Sequence, residues 1–120
     1  MNNRESSNEI KRIIKAFGYS LEGLKAALGE SAFRTEIIIS AIAIPFAFKI
    51  SHNAGELALL IGSLLLVLIV ELLNTGLELT INRISLDIHP LSKKVKDIAS
   101  AAVLLAIINA IIIWSAVLWS

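Results

Sequence analysis

Three long runs of apolar residues constrain this chain more than any other feature. Two of them, Ile37–Phe48 and Ile98–Ser120, hold no charged residue, and Leu57–Ile81 holds only two. A helix that crosses the hydrocarbon core of a bilayer needs about 20 mainly apolar residues, and each run reaches that length alone or with its flanks. The sequence therefore predicts an all-α membrane protein of one domain, 1–120. Its three transmembrane helices are expected at about residues 31–50, 57–81 and 97–119.

Composition supports the same class. Hydrophobic residues make up 56% of the chain and charged residues 18%, against about 45–50% and about 25% in soluble domains. A small soluble domain cannot bury so much apolar surface, and a disordered chain needs low hydrophobicity with high net charge. The chain has no cysteine, which excludes a disulfide framework and thiol chemistry. Its net charge of +1 predicts no nucleic-acid partner.

The segment before the first span has a different pattern. Residues 1–8 are polar and expected to be frayed, whereas apolar residues recur at helical spacing through 9–28 and basic residues lie off that stripe. This pattern predicts an amphipathic N-terminal helix lying on the membrane surface. A helix that packs on its neighbours in a soluble-side bundle is the alternative.

The distribution of lysine and arginine predicts the orientation. Six of these residues lie within 1–36 and four within the second connection, 82–97. The first connection has only Lys49, and the residues after 97 have none. Because cytoplasmic loops carry the excess of basic residues, the N-terminus and the second connection are expected to be cytoplasmic and the C-terminus outside.

Two glutamates inside the second span are the feature most indicative of function. Glu71, Asn74 and Glu78 share one helix face, and the two carboxylates lie about 10 Å apart along the axis. A charge at the centre of a membrane helix costs about 2.5–3.5 kcal/mol on insertion scales, so such residues mark function. The deeper Glu71 suits a general base, and the shallower Glu78 suits a hard cation such as magnesium. A polar lock between helices is the structural alternative.

Other charged residues are expected at the same membrane surface as Glu78. They are Glu30, Arg34, Glu36, Lys96 and Asp97. Phosphoryl transfer requires acids that hold a metal, basic residues that neutralise phosphate, and a general base that takes the proton of an alcohol. The chain has neither a GxxxxGK[ST] nor a GxGxxG loop, so it is not built like the soluble kinases. A proton-coupled transporter and a holin-like assembly remain open, although neither explains an acidic and basic cluster on one surface.

Four strings of residues resemble one known family. They are RIIKAFGYSLEGL (Arg12–Leu24), ESAFRTE (Glu30–Glu36), ELLNTGLE (Glu71–Glu78) and KDIASAAV (Lys96–Val103). These strings are similar to the bacterial integral-membrane diacylglycerol kinases, and the resemblance covers about residues 10–119. It implies a homotrimer in the bacterial inner membrane, with a surface helix and three spans in each subunit. It also implies transfer of the γ-phosphate of ATP to diacylglycerol, with Mg²⁺ as cofactor and phosphatidic acid as product.

The resemblance also implies a role for each matching residue. Glu71 would be the general base, Asn74 would position the reacting groups, and Glu30 and Glu78 would hold magnesium. The residues that would contact the nucleotide, together with those two acids, are Arg12, Tyr19, Asp87, His89, Lys96 and Asp97. The residues that would line the lipid side, together with Glu71, are Ala16, Arg34, Glu36, Ser100 and Trp114.

Some residues depart from the family or have simpler explanations. The string HPLSKKVKD (His89–Asp97) also resembles a branch that phosphorylates undecaprenol, so that lipid stays open as the acceptor. Gly62 and Ser63 are expected to allow close helix packing. Trp119 is expected to belong to the aromatic belt at the membrane interface, and Asn109 to make a hydrogen bond between helices.

Overall fold

A computed structural model describes residues 2–120, which form four α-helices and no β-strand. The helices are α1 (Asn3–Ala27), α2 (Ser31–Ile50), α3 (Ala54–Ile84) and α4 (Pro90–Leu118). Helices α2, α3 and α4 are each long and apolar enough to cross a membrane. The predicted all-α class and the three apolar spans are therefore confirmed.

Helix α1 begins earlier than the sequence pattern indicated. The side chain of Asn2 caps it by accepting a hydrogen bond from the backbone N–H of Arg4, at 3.3 Å. Asparagine is a favoured N-cap because its side chain pairs an N–H group that the first turn leaves free. The prediction of a frayed segment is therefore wrong for residues 3–8, and Met1 lies outside the described residues.

Helices α3 and α4 each begin at a residue whose side chain caps the helix. Asn53 accepts a hydrogen bond from the backbone N–H of Glu56 at 2.9 Å, which fixes the start of α3. His89 does the same for Leu91 at 3.1 Å, and Pro90 occupies the first turn of α4. These caps start α3 and α4 outside the purely apolar runs, because helix ends depend on capping groups and not on hydropathy.

Helix α3 lies at the centre of the packing. It contacts α4 over most of its length and α2 over less, whereas α1 makes only slight contact with the rest. The buried residues of α3 follow one stripe: Leu60, Ser63, Val67, Glu71 and Ile81. A small cluster of Ala47, Leu60 and Val117 closes the end where α2 stops and α3 begins. Each of the three long helices therefore contributes one residue to this packed end.

A single chain leaves most of its apolar surface uncovered. Its accessible surface is 9002 Å², whereas a compact soluble protein of this mass exposes about 6,300 Å². Its radius of gyration is 18.5 Å, against about 14 Å for a compact domain of this length. Large side chains such as Ile42, Leu105 and Ile112 are about 60% exposed. These faces require lipid or further protein to cover them.

Candidate active site

The polar face of α3 is formed as its spacing predicts. Glu71 is buried, Asn74 is half-buried and Glu78 is exposed, so burial decreases along the face. The side-chain N–H of Asn74 donates a hydrogen bond to a carboxylate oxygen of Glu78 at 3.4 Å. The side-chain oxygen of Asn74 is buried and accepts no hydrogen bond within residues 2–120. Asn74 is therefore hydrogen-bonded to the exposed acid, and its acceptor oxygen is unused within the described residues.

A second acid approaches Glu71 from another helix. Glu36 of α2 is half-buried, and the negative charges of Glu36 and Glu78 both act on Glu71. Like charges held in a poorly solvated place repel one another strongly. Glu36, Glu71 and Glu78 therefore make this part of the helix bundle acidic.

The connection between α3 and α4 gathers four of the predicted nucleotide residues. Asp87, His89, Lys96 and Asp97 line one open cavity of about 280 Å³. The ammonium group of Lys93 donates a hydrogen bond to the Asp97 carboxylate at 2.6 Å. Acidic, basic and imidazole groups thus line one cavity. Their positions in the sequence predicted only that they lie at the same membrane surface.

Lys96 of α4 makes a side-chain hydrogen bond to α3. Its ammonium group donates a hydrogen bond to the side-chain oxygen of Asn82 at 3.1 Å. Asn82 lies one helical turn beyond Glu78 on α3, so it continues the polar face. The sequence prediction missed Asn82 and Lys93. Helical i, i+4 spacing contained the signal for both, since Asn82 lies four residues after Glu78 and Lys93 four residues before Asp97.

The two predicted acids of the metal site, Glu30 and Glu78, have different surroundings within one chain. Glu30 lines a cavity of about 530 Å³ between α1 and α3, with Thr75 and Gly76 on the opposite wall. Glu78 does not line this cavity. No group of three or more histidine, aspartate or glutamate side chains in residues 2–120 is arranged to hold a metal. Within the described chain, Glu30 and Glu78 therefore belong to no such group.

The predicted site residues of α1 and of the start of α2 have other surroundings. Arg12, Ala16 and Tyr19 are exposed, and the described chain shows no hydrogen bond from them to α3 or α4. The guanidinium of Arg34 donates hydrogen bonds to the backbone oxygens of Leu28 and Gly29 at 2.9 and 3.2 Å. Arg34 therefore stabilises the end of α1, since cations near a helix C-terminus pair its free carbonyl groups.

An apolar groove lies beside Glu36 and Val67, one helical turn along α3 from Glu71. It has a volume of about 290 Å³ and is lined by residues of α2, α3 and α4, among them Glu36, Val67 and Trp114. The indole of Trp114 is half-buried, and its N–H donates a hydrogen bond to the hydroxyl oxygen of Ser63 at 3.2 Å. Two of the predicted lipid-side residues, Glu36 and Trp114, thus share one groove, whereas Ser100 is exposed on α4.

Comparison with known proteins identifies the family of this chain. The family model for prokaryotic diacylglycerol kinase matches residues 18–118. The chain belongs to the prokaryotic diacylglycerol kinase family. The diacylglycerol kinase of Pseudomonas aeruginosa is 47% identical over 110 residues, which cover 91% of this chain and 89% of that protein. The diacylglycerol kinase of Escherichia coli is 48% identical over 110 residues, covering 91% and 90%. That of Helicobacter pylori is 41% identical over 105 residues, covering 87% and 82%.

The family predicted from the four strings is therefore confirmed, and with it a bacterial membrane protein. Membership of a kinase family favours phosphoryl transfer over the transporter and holin-like alternatives. Kinase membership also agrees with the polar face of α3, which runs from the buried Glu71 to the exposed Glu78. Asn82 continues this face and bonds to Lys96, which lines the cavity of mixed charge. The matched region includes α2, α3 and α4 entirely and begins within α1.

Proposed function

We propose that this protein transfers the γ-phosphate of ATP to the free hydroxyl of diacylglycerol and releases phosphatidic acid and ADP. One observation carries the proposal: in a chain of the diacylglycerol kinase family, a buried carboxylate, Glu71, lies on α3 between Val67, which lines an apolar groove, and Glu78, which is exposed. A lipid hydroxyl must reach such a boundary to meet a water-soluble nucleotide. The buried end of this polar face, at Glu71, contacts the lipid, and the exposed end, at Glu78, contacts ATP.

Glu71 acts as the general base. Its carboxylate accepts the proton of the lipid hydroxyl while that oxygen forms a bond to the γ-phosphorus and the bond to the β-phosphate oxygen breaks. A positioned base of this kind accelerates a reaction by about 10²–10⁴-fold. Asn74 supports the step because its amide bonds to Glu78 and its buried oxygen is free to accept a hydrogen bond. It therefore orients the groups between the base and the nucleotide.

Glu30 and Glu78 fit the requirements of a magnesium ion that arrives with ATP. Mg²⁺ binds through one or two carboxylates together with phosphate oxygens and water, and it does not need a cage of protein ligands. Both residues are exposed acids, and Glu78 already accepts a hydrogen bond from Asn74. When bound, the ion neutralises charge that develops on the transferred phosphoryl group. In a single chain Glu78 does not line the cavity that Glu30 lines, and we infer that assembly or nucleotide binding completes the site of the ion.

The mixed cavity beside α4 receives the rest of the nucleotide. Lys96 neutralises phosphate charge, and its bond to Asn82 keeps the ammonium group at the end of α3. Asp97, Asp87 and His89 line the same cavity and contact the polar parts of the nucleotide. Arg12 and Tyr19 of α1 contribute from the membrane surface. The N-terminus and the α3–α4 connection are then cytoplasmic, where ATP is available, and the C-terminus is outside.

Helix α1 lies on the membrane surface as an amphipathic helix. Its apolar side chains are uncovered, with Ile13 and Phe17 each 65% exposed. A basic helix with such a stripe inserts its apolar face between the headgroups and acyl chains. Ala16 and Arg34 then lie at the depth of the lipid headgroup, and Ser100 faces the same region from α4.

A homotrimer is the working assembly. A single chain exposes far more surface than a compact protein of its mass. Bundling of copies covers polar faces that lipid cannot solvate, such as that of Glu78 and Asn74. The number three comes from the resemblance to the family. In such an assembly, sites shared between neighbouring subunits would combine residues of two chains.

Undecaprenol is the second candidate for the acceptor, because the string from His89 to Asp97 resembles the branch that phosphorylates it. One experiment tests the function and separates the two lipids. Purified protein in detergent micelles is supplied with Mg-ATP, and ADP release is followed without lipid, with diacylglycerol and with undecaprenol. We expect lipid-dependent turnover with diacylglycerol. Turnover with undecaprenol alone would change the acceptor, and no lipid-dependent turnover would refute the proposal.

A further inference from the structure

One hydrogen bond links side chains of α3 and α4 at the end of these helices opposite Lys96. Within residues 2–120 it is the only such bond at that end, and the region around it is otherwise apolar. The indole N–H of Trp114 donates to the hydroxyl oxygen of Ser63 at 3.2 Å, across 51 positions of sequence. The Ser63 hydroxyl in turn donates to the backbone oxygen of Leu60 at 2.8 Å. Ser63 is 3% exposed, so water does not compete for either bond.

The chemistry of the two groups makes the direction of this contact unambiguous. An indole N–H is a donor only, whereas a hydroxyl has one hydrogen and two lone pairs. Because the single hydrogen of Ser63 is engaged by Leu60, its lone pairs are left to receive the indole. In the hydrocarbon region no water is present to replace a lost partner. The hydroxyl therefore fixes the orientation of a large ring that has no other polar anchor there.

The indole ring of Trp114 lies between the closed end of the bundle and the apolar groove. Trp114 packs against the closed end of the bundle, the cluster of Ala47, Leu60 and Val117. Trp114 also forms part of the wall of the apolar groove that leads from Glu36. Ser63 itself is not among the groove-lining residues and lies about 12 Å along α3 from Glu71. Any influence of Ser63 on the lipid therefore passes through the indole.

We propose that Ser63 is a positioning residue that holds the indole of Trp114 as a wall of the acceptor-lipid groove and thereby sets the affinity for the lipid's hydrocarbon chain. This inference rests on the proposed function, since it assigns the groove to the acceptor. It differs from the sequence expectation for Ser63, which was close helix packing. Packing depends on the small size of serine, and alanine preserves that size. Positioning depends on the hydroxyl, and alanine removes it.

A double-mutant cycle separates the two roles. Ser63→Ala, Trp114→Phe and the double variant are compared with the unmodified chain for KM towards diacylglycerol, expressed as its mole fraction in micelles. Loss of a hydrogen bond between membrane helices changes an equilibrium by about three-fold on average. We expect Ser63→Ala to raise the lipid KM by about that factor, with kcat and the KM for ATP little changed. In the Trp114→Phe background, Ser63→Ala should have no further effect, because phenylalanine has no N–H to lose.

A spectroscopic measurement tests the hydrogen bond without relying on activity. The chain has two tryptophans, and Trp119 is 87% exposed. Trp119→Phe therefore leaves Trp114 as the sole reporter. Ultraviolet resonance Raman bands of indole report whether its N–H is hydrogen-bonded. Ser63→Ala should move that band to the unbonded position. Ser40→Ala, which removes another buried hydroxyl from the bundle, should leave it in place.

The outcomes distinguish this inference from the proposed function. An equal rise in lipid KM after Ser63→Ala in both backgrounds would overturn it, because the effect would not pass through the indole. An unshifted Raman band would overturn it as well. If the unmodified chain has no lipid-dependent turnover, the proposed function fails, and the positioning role fails with it even when the Raman band shifts.

Discussion

Replacement of Glu71 by glutamine is the sharpest test of the proposed chemistry. The amide keeps the size and hydrogen-bonding capacity of the side chain but cannot take a proton from an alcohol. Loss of a general base lowers kcat by about 10²–10⁴-fold, which corresponds to about 2.7–5.4 kcal/mol in the barrier at 1.36 kcal/mol for each factor of ten. Glu78 lies seven residues further along α3, about 10 Å away along the axis. The KM for Mg-ATP should therefore change by less than about two-fold.

The variant should still insert and assemble. Glutamine removes a charge from the membrane interior and removes the repulsion that Glu71 experiences from Glu36 and Glu78. Steady-state ADP release in micelles gives kcat and both KM values, and size-exclusion chromatography with multi-angle light scattering gives the assembly. Glu56→Gln is the matched control, because Glu56 is an acid at the opposite end of the same helix, where it accepts a hydrogen bond from the backbone N–H of His52.

Two results would refute the reasoning about Glu71. One is near-normal turnover in a variant that assembles normally, which would leave the base unassigned. The other is loss of assembly in proportion to the loss of activity, which would make Glu71 a polar lock between helices.

Three further predictions test the metal, the topology and the α1–α2 junction. Glu30→Gln and Glu78→Gln should each raise the magnesium concentration needed for half-maximal rate, because an amide is a neutral ligand for a hard cation; an unchanged magnesium titration in both variants would make these acids structural. Single cysteines at Asn53 and Ser92 should react with an impermeant thiol reagent from opposite sides of the membrane, and labelling from one side would contradict the three-span topology. Arg34→Ala should speed hydrogen exchange at the end of α1 by about ten-fold, since it removes two hydrogen bonds to backbone oxygens, and equal exchange in both proteins would show that these bonds do not hold the helix.

Local features of the sequence were sufficient for the helices and for the polar face. Hydropathy located the three spans, because a membrane helix must be apolar over a fixed length. The spacing of Glu71, Asn74 and Glu78 placed them on one face because the helical repeat is constant. The bond between Asn74 and Glu78 follows from the same repeat. Only the helix ends were inaccurate, since the caps at Asn2 and Asn53 act through hydrogen bonds that hydropathy does not describe.

Contacts between helices were decided only by the tertiary structure. The sequence could not pair Lys96 with Asn82, Trp114 with Ser63 or Arg34 with the end of α1. Each of these contacts depends on which faces of two helices meet and at what height. Helices that are apolar on nearly every side carry little information about which face is buried, because lipid and protein solvate an apolar side chain almost equally well. The sequence by itself therefore determined which residues are available for chemistry, and the packing of α3 against α4 and α2 determined which of them meet.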